Sequence, residues 1–148
     1  MLRDVNAHKH YHLHPVIFAA LAQAAAGAGV RAIRLPREEA AMVGHAARLQ
    51  NAWCGVLRGR ARRWGLSAPD QVVGLRWSGA FTADRVLQAL AALPPGVTEF
   101  YFHPATRDDV PGGAAGYRYT EELAALTDPR VIEASAGIPR GGYAAMLA

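Results

Sequence analysis

The tightest constraint on the fold is a change of period between residues 5 and 26. From Val5 to His14 the side chains alternate, with His8, His10, His12 and His14 on even positions and Lys9, Tyr11 and Leu13 on odd ones. A period of two predicts a strand. Pro15 then suits the first turn of a helix. Val16 to Ala26 carries apolar residues at helical spacing, and Gly27 and Gly29 close it. The exchange repeats. Val30–Leu35 reads as a second strand, ended by Pro36, and Glu38–Trp64 as a long helix with weak points at Gly44 and Gly55 and a stop at Gly65. Gln71–Trp77 reads as a third strand. Thr82 caps a helix running to Leu93, and Pro94-Pro95-Gly96 makes the turn. Thr98–His103 is a fourth strand, ended by Pro104. After the Gly- and Asp-rich loop Ala105–Gly116, Thr120 caps a helix to Leu126, Asp128-Pro129 starts another, and Gly141-Gly142 precedes the tail.

Strands alternating with helices give the α/β class, with parallel strands and helical crossovers. An open doubly wound sheet and part of a β/α barrel both satisfy this order, and in both the active site gathers at the C-terminal ends of strands. His14-Pro15, His103-Pro104 and Arg34-Leu35-Pro36 stand at those ends. With 148 residues, 51% hydrophobic and 19% charged, the chain suits a single domain over residues 1–148 with its own core.

Charge excludes more than it suggests. The formal net charge is +4. Arg58, Arg60, Arg62 and Arg63 beside Trp64 read as a solvated helix end, where cations meet the C-terminal dipole. Without interleaved aromatic and basic residues or a recognition motif, no nucleic-acid partner is expected. Cys54 is alone, which excludes a disulfide framework and reads as a buried structural thiol. No signal peptide is visible, and the apolar stretch Phe18–Ala28 is too short to span a bilayer. A cytoplasmic protein without a membrane anchor is expected.

Same-face residues on a strand lie about 6.6 Å apart. His8 and His10 could therefore share one ion at metal–nitrogen distances of about 2 Å. Four such histidines span about 20 Å and cannot all bind one ion, so others must contact substrate or orient a ligand. An exposed polar face and a set of satisfied core histidines compete with this reading. Burying four histidines without function is costly, because each polar tip needs a partner. On the fourth strand, Glu99, Tyr101 and His103 share a face opposite Phe100 and Phe102, and His103 is placed to act as a general acid or base. The competing reading is a histidine hydrogen-bonded at a strand end. His45, among Gly44, Ala46 and Ala47, reads as a surface histidine.

The run Asn6-Ala7-His8-Lys9-His10-Tyr11-His12-Leu13-His14-Pro15 resembles the Asp-x-His-x-His-x-His segment of YdjC-like carbohydrate deacetylases. Arg34-Leu35-Pro36-Arg37-Glu38, Gly74-Leu75-Arg76-Trp77-Ser78-Gly79 and Thr98-Glu99-Phe100-Tyr101-Phe102-His103-Pro104-Ala105 look more narrowly like the hopanoid-biosynthesis-associated branch, often labelled HpnK. The similarity extends in order to Tyr117-Arg118-Tyr119 and the final Gly-Tyr segment. The resemblance implies a β/α-barrel-like fold and a divalent metal ion, zinc or magnesium, that activates water to attack an N-acetyl carbonyl. It places His8 as a metal ligand and His103 in the active site. His10 and His12 would line the pocket, and Arg34 and Trp77 would contact substrate. The implied substrate is an N-acetylglucosaminyl lipid, met at a membrane surface.

Two departures from the family pattern matter. Asn6 stands where the family has an acidic residue. Family members also carry, before the histidine run, a strand with paired aspartates and a further ligand histidine, whereas Met1 here is four residues ahead of Val5. The expectation is a partial barrel lacking its opening strands, with weakened metal binding, impaired turnover and an open sheet edge that favours homo-oligomers. The alternative is a non-catalytic metal- or sugar-binding remnant of the family.

Overall fold

The computed structural model describes residues 4–38 and 45–147, without the side chains of residues 45 and 46. The first helix, α1, covers Pro15–Gly27, with Pro15 at its first turn. It buries Phe18, Ala22 and Ala25, spaced four and three residues apart as one helical face requires. The second, α2, covers His45–Arg63 and buries Cys54, Leu57 and Ala61. Gly55 does not interrupt it. Glu38, the expected helix start, is not helical; residues 39–44, including the weak point at Gly44, lie outside the described residues, as does the side chain of His45.

Both helices end in the same device. Gly29 (φ 72°) and Gly65 (φ 69°) take the left-handed conformation, which glycine adopts without Cβ strain. The N–H of Gly29 donates to Ala26, and that of Val30 to Ala25 at 2.9 Å. Likewise Gly65 donates to Arg62, and Leu66 to Ala61 at 3.0 Å. These paired closures satisfy carbonyls left over at the helix end and pack the residue after glycine on the last turn. Each delivers an apolar residue, Val30 or Leu66, into the core at the start of the next extended segment.

Those extended segments pair in sequence order. Val5 bridges Ile33 and Ala32 bridges Ser67, both in parallel. Val72 then donates to the Arg37 carbonyl at 2.7 Å. The strands β1 (Gln71–Val73) and β2 (Thr98–Phe100) form a two-stranded sheet. Their register advances together, from Asp70–Val97 to Val73–Tyr101, as parallel strands require. The fold is therefore mixed helix and strand with parallel pairing. Among the described residues the pairings form an open run.

Three expected strands and two expected helix caps differ. The strand over Val5–His14 does not form: after Val5 the chain turns into a short 3₁₀ segment, His8–Leu13. Lys9 (φ 49°, ψ 27°) and His10 (φ 56°, ψ 29°) are left-handed, so the histidines do not share a strand face. The third strand stops at Val73, and Leu75–Trp77 is a 3₁₀ turn. The fourth strand stops at Phe100. Neither Thr82 nor Thr120 caps a helix through its side chain. The helix α3 (Ala83–Ala91) follows Thr82 without such a bond. The helix α4 (Tyr119–Thr127) already contains Thr120, which bonds Asp108 instead. Asp128 does cap α5 (Pro129–Ala134), accepting from the Arg130 N–H at 2.8 Å. The tail ends in a single turn, α6 (Tyr143–Met146).

The chain divides into two compact units. One contains residues Met1–Val72, Gly96–Glu99 and Arg140–Ala148, and the other Val73–Pro95 and Phe100–Pro139. The first is organised around Phe18, Ile33, Leu35, Leu57 and Leu66. In the second, Phe81 is fully buried beneath α3, α4 and α5. Its ring stacks on Phe102 at 4.6 Å and Phe100 at 6.0 Å, with Trp77 at 5.3 Å. The alternation expected of the fourth strand holds here, since Phe100 and Phe102 face the helical layer. No described helix is long and apolar enough to cross a membrane.

Candidate functional site

In the first unit the polar chemistry begins at the histidine turn. Bonds from His10 N–H to the Ala7 carbonyl and from His14 N–H to the Tyr11 carbonyl, both 3.0 Å, close two successive turns. His12 is fully buried. Its Nδ1 accepts the Ala7 N–H at 3.1 Å, so the ring proton sits on Nε2 and is donated to the Arg34 carbonyl at 2.7 Å. Burial pulls the His12 pKa below its ordinary value, against the Arg34 carbonyl bond, which raises it. The ring thus works as a neutral clasp between the turn and the second extended segment. His8 is exposed, and His10 is half-buried with its ring edge-on to His12 at 5.9 Å.

Arg34 continues the network. Its Nε donates to Glu99 at 2.7 Å, and the other carboxylate oxygen accepts the hydroxyl of Tyr143. Burial lowers the Arg34 pKa, but the bond to Glu99 and its charge outweigh this and hold the guanidinium more firmly protonated. Burial, then the bond to the Glu99 carboxylate, push the Tyr143 phenol far up. Arg34 is therefore committed to Glu99, with its side chain 18% exposed.

The second unit holds His103. Its Nε2 lies 2.9 Å from the Tyr101 hydroxyl, and its ring edge approaches Tyr117 at 5.1 Å. Tyr117 rests on Gly79, where a Cβ would overlap the phenol ring. Beneath His103 lies Glu122, fully buried on α4. One Glu122 oxygen accepts the Phe81 N–H at 3.2 Å, and the other accepts the backbone N–H of His103. That second oxygen stands 3.9 Å from His103 Nδ1. Trp77, expected to touch substrate, packs on Phe81, and the Arg76 guanidinium lies 4.1 Å from its ring centroid.

The structure thus joins His12 and Arg34 in one unit, while His103 and Trp77 belong to the other. Among the described residues, no three His, Cys, Asp or Glu side chains group so as to hold a metal ion. The donors present do not make a complete divalent-ion site, since His12 spends both nitrogens on backbone and His8 points from an exposed turn. Sequence reasoning missed Glu122 and Tyr143. Glu122 is disguised as half of an acidic pair, Glu121-Glu122, in the first turn of α4, where any carboxylate suits the helix dipole. The Gly141-Gly142 turn before Tyr143 was the available signal for the other.

The Cys54 thiol is buried as expected, and burial pushes its pKa up to about 11. Among the arginines near Trp64, Arg58 pairs with Asp70 at 2.7 Å, and Arg60 lies over the Trp53 ring. Comparison with curated proteins and with solved structures finds no match. A family model described as YdjC-like protein matches residues 5–136, which takes in the histidine turn, Arg34, Glu99, His103 and Glu122. The chain belongs to the YdjC-like family.

Proposed function

We propose that this chain is a carbohydrate N-deacetylase of the hopanoid-associated type, releasing acetate from an N-acetylglucosaminyl lipid. The YdjC-like family is associated with carbohydrate deacetylase-type function. The observation that carries the reading is His103, held between the Tyr101 hydroxyl and a buried carboxylate. Amide hydrolysis needs a proton delivered to the departing amine, and a half-buried imidazole with one ring nitrogen in hydrogen-bonding range of a hydroxyl suits that task. In this reading His103 Nε2 carries the transferred proton, and Tyr101 holds it in hydrogen-bonding range. On the histidine turn, His8 with His10 beside it would be the residue to hold a divalent ion, zinc or magnesium, which would supply an activated water; among the described residues no three such donors group together. Within the first unit His12 clasps the histidine turn, and Arg34 is tied to Glu99.

The test is acetate release from an N-acetylglucosaminyl lipid and from N-acetylated chito-oligosaccharides, with added zinc or magnesium. The expected result is slow release that favours the lipid and falls by 10²-fold or more in His103→Ala. Equal release by wild type and variant, or none from any substrate, would overturn the proposal. The incomplete donor set favours one other reading, a non-catalytic binding member of the family. That reading expects metal binding by calorimetry that His8→Ala abolishes, with no acetate released.

A further inference from the structure

We propose that Glu122 is the positioning residue of His103, fixing both the backbone that carries the imidazole and the nitrogen that carries its proton. This rests on the reading of His103 as the acid–base group.

The geometry makes one carboxylate serve two purposes. Strand β2 has ended at Phe100, so the His103 N–H has left the β1–β2 ladder and takes Glu122 as its acceptor. The partner oxygen holds the Phe81 N–H, at the turn that precedes α3. Glu122 therefore ties the chain at His103 to the residue whose ring anchors the core of this unit. The same carboxylate lies 3.9 Å from His103 Nδ1, the ring nitrogen facing into the protein. His103, once protonated, stands within ion-pair range of Glu122, while Arg118 one turn earlier on the chain bonds Glu121 at 2.7 Å.

A carboxylate at that range favours the proton on the nearer nitrogen. With Nδ1 protonated, Nε2 is left to exchange a proton on the side of Tyr101 and Tyr117, two further titratable groups against the ring. A carboxylate that orients an imidazole and fixes its tautomer is a recurring solution for acid–base histidines. Here the orienting group comes from a helix 19 residues further along the chain.

The decisive measurement is the ¹⁵N spectrum of the histidine rings in the full chain, with His103 assigned from the His103→Gln variant. In the wild type, neutral His103 is expected to carry its proton on Nδ1. Glu122→Gln keeps an acceptor oxygen yet removes the charge. It is expected to lower the protonation constant of His103 at least tenfold and to shift the proton toward Nε2. Acetate release by this variant should fall in kcat with KM little changed, its pH profile should move to lower pH, and Glu122→Asp should restore part of both. A wild-type proton on Nε2 overturns the proposal without any variant, and so does a folded Glu122→Gln protein with unchanged tautomer and titration. Absence of acetate release from every form, with the expected ring signature intact, sinks the deacetylase reading and leaves the role of Glu122 standing.

Discussion

His12 lends itself to a quantitative prediction because each ring nitrogen has one identified backbone partner. His12→Ala strands the Ala7 N–H and the Arg34 carbonyl, at about 1–3 kcal/mol for each unsatisfied group. The expected cost is therefore about 2–6 kcal/mol, a large share of the 5–15 kcal/mol by which domains of this kind are stable. His12→Asn keeps an acceptor near the Nδ1 position and should recover roughly half of that loss. The pH dependence gives a second signature. The folded-state pKa of His12 lies below its ordinary 6.5, so the unfolded chain takes up the proton first. The contribution of His12 is full above pH 6.5 and is lost as the pH falls from there through the lowered folded value. Over that window the slope is about 1.4 kcal/mol per pH unit. Urea denaturation between pH 5 and 8, followed by tryptophan fluorescence, measures both effects, since Trp53 bonds the Leu13 carbonyl beside His12. A His12→Ala cost below about 0.5 kcal/mol would refute the clasp. So would a wild-type minus His12→Asn difference that stays constant from pH 7 to pH 5.

Three further predictions concern packing and titration. Phe81→Ala should destabilise the second unit by about 3–5 kcal/mol in chemical denaturation, because Phe81 is fully buried among Trp77, Phe100 and Phe102; a loss under 1 kcal/mol would mean that the stack repacks freely. Tyr143→Phe should cost about 1–2 kcal/mol by removing the hydroxyl bond to Glu99. Ultraviolet titration should also show one fewer phenol resisting ionisation at high pH, and an unchanged curve would remove Tyr143 from the network. Cys54, with its pKa pushed up to about 11, should react slowly with a thiol reagent at pH 8 and rapidly in denaturant; equal rates would contradict its burial.

What could be read directly from the chain was what local chemistry decides. Pro15 and the glycines after α1 and α2 mark helix ends because their backbone preferences act within a few residues. Asp128 before Pro129 worked as a cap for the same reason. Phe100 and Phe102 faced the helical layer as their alternation required. The histidine run failed because its odd positions were not a true apolar face. Lys9 and Tyr11 are exposed, and beyond Val5 only Leu13 of the odd positions packs on the core. With little apolar area to hold it in a sheet, the segment satisfied its backbone through local turns and the His12 ring. Glu122 and Tyr143 escaped notice for a different reason. The His103 N–H and Glu99 that they bond are 19 and 44 residues away, and neither the acidic pair around Glu122 nor the Gly141-Gly142 turn before Tyr143 indicates such a distant partner.

The two left-handed residues at Lys9 and His10 have a consequence for how this chain can change. Side-chain-bearing residues in that conformation cost roughly 1–2 kcal/mol each, and glycine carries almost none of that cost. Were selection acting on folding alone, both codons would drift toward glycine, and an engineer seeking thermostability would begin at Lys9→Gly. The lysine is exposed, so no core packing stands in the way. If Lys9 or His10 serves the function, holding a side chain there trades durability for it. A turn that becomes sturdier on mutation while the protein becomes less useful would expose that trade.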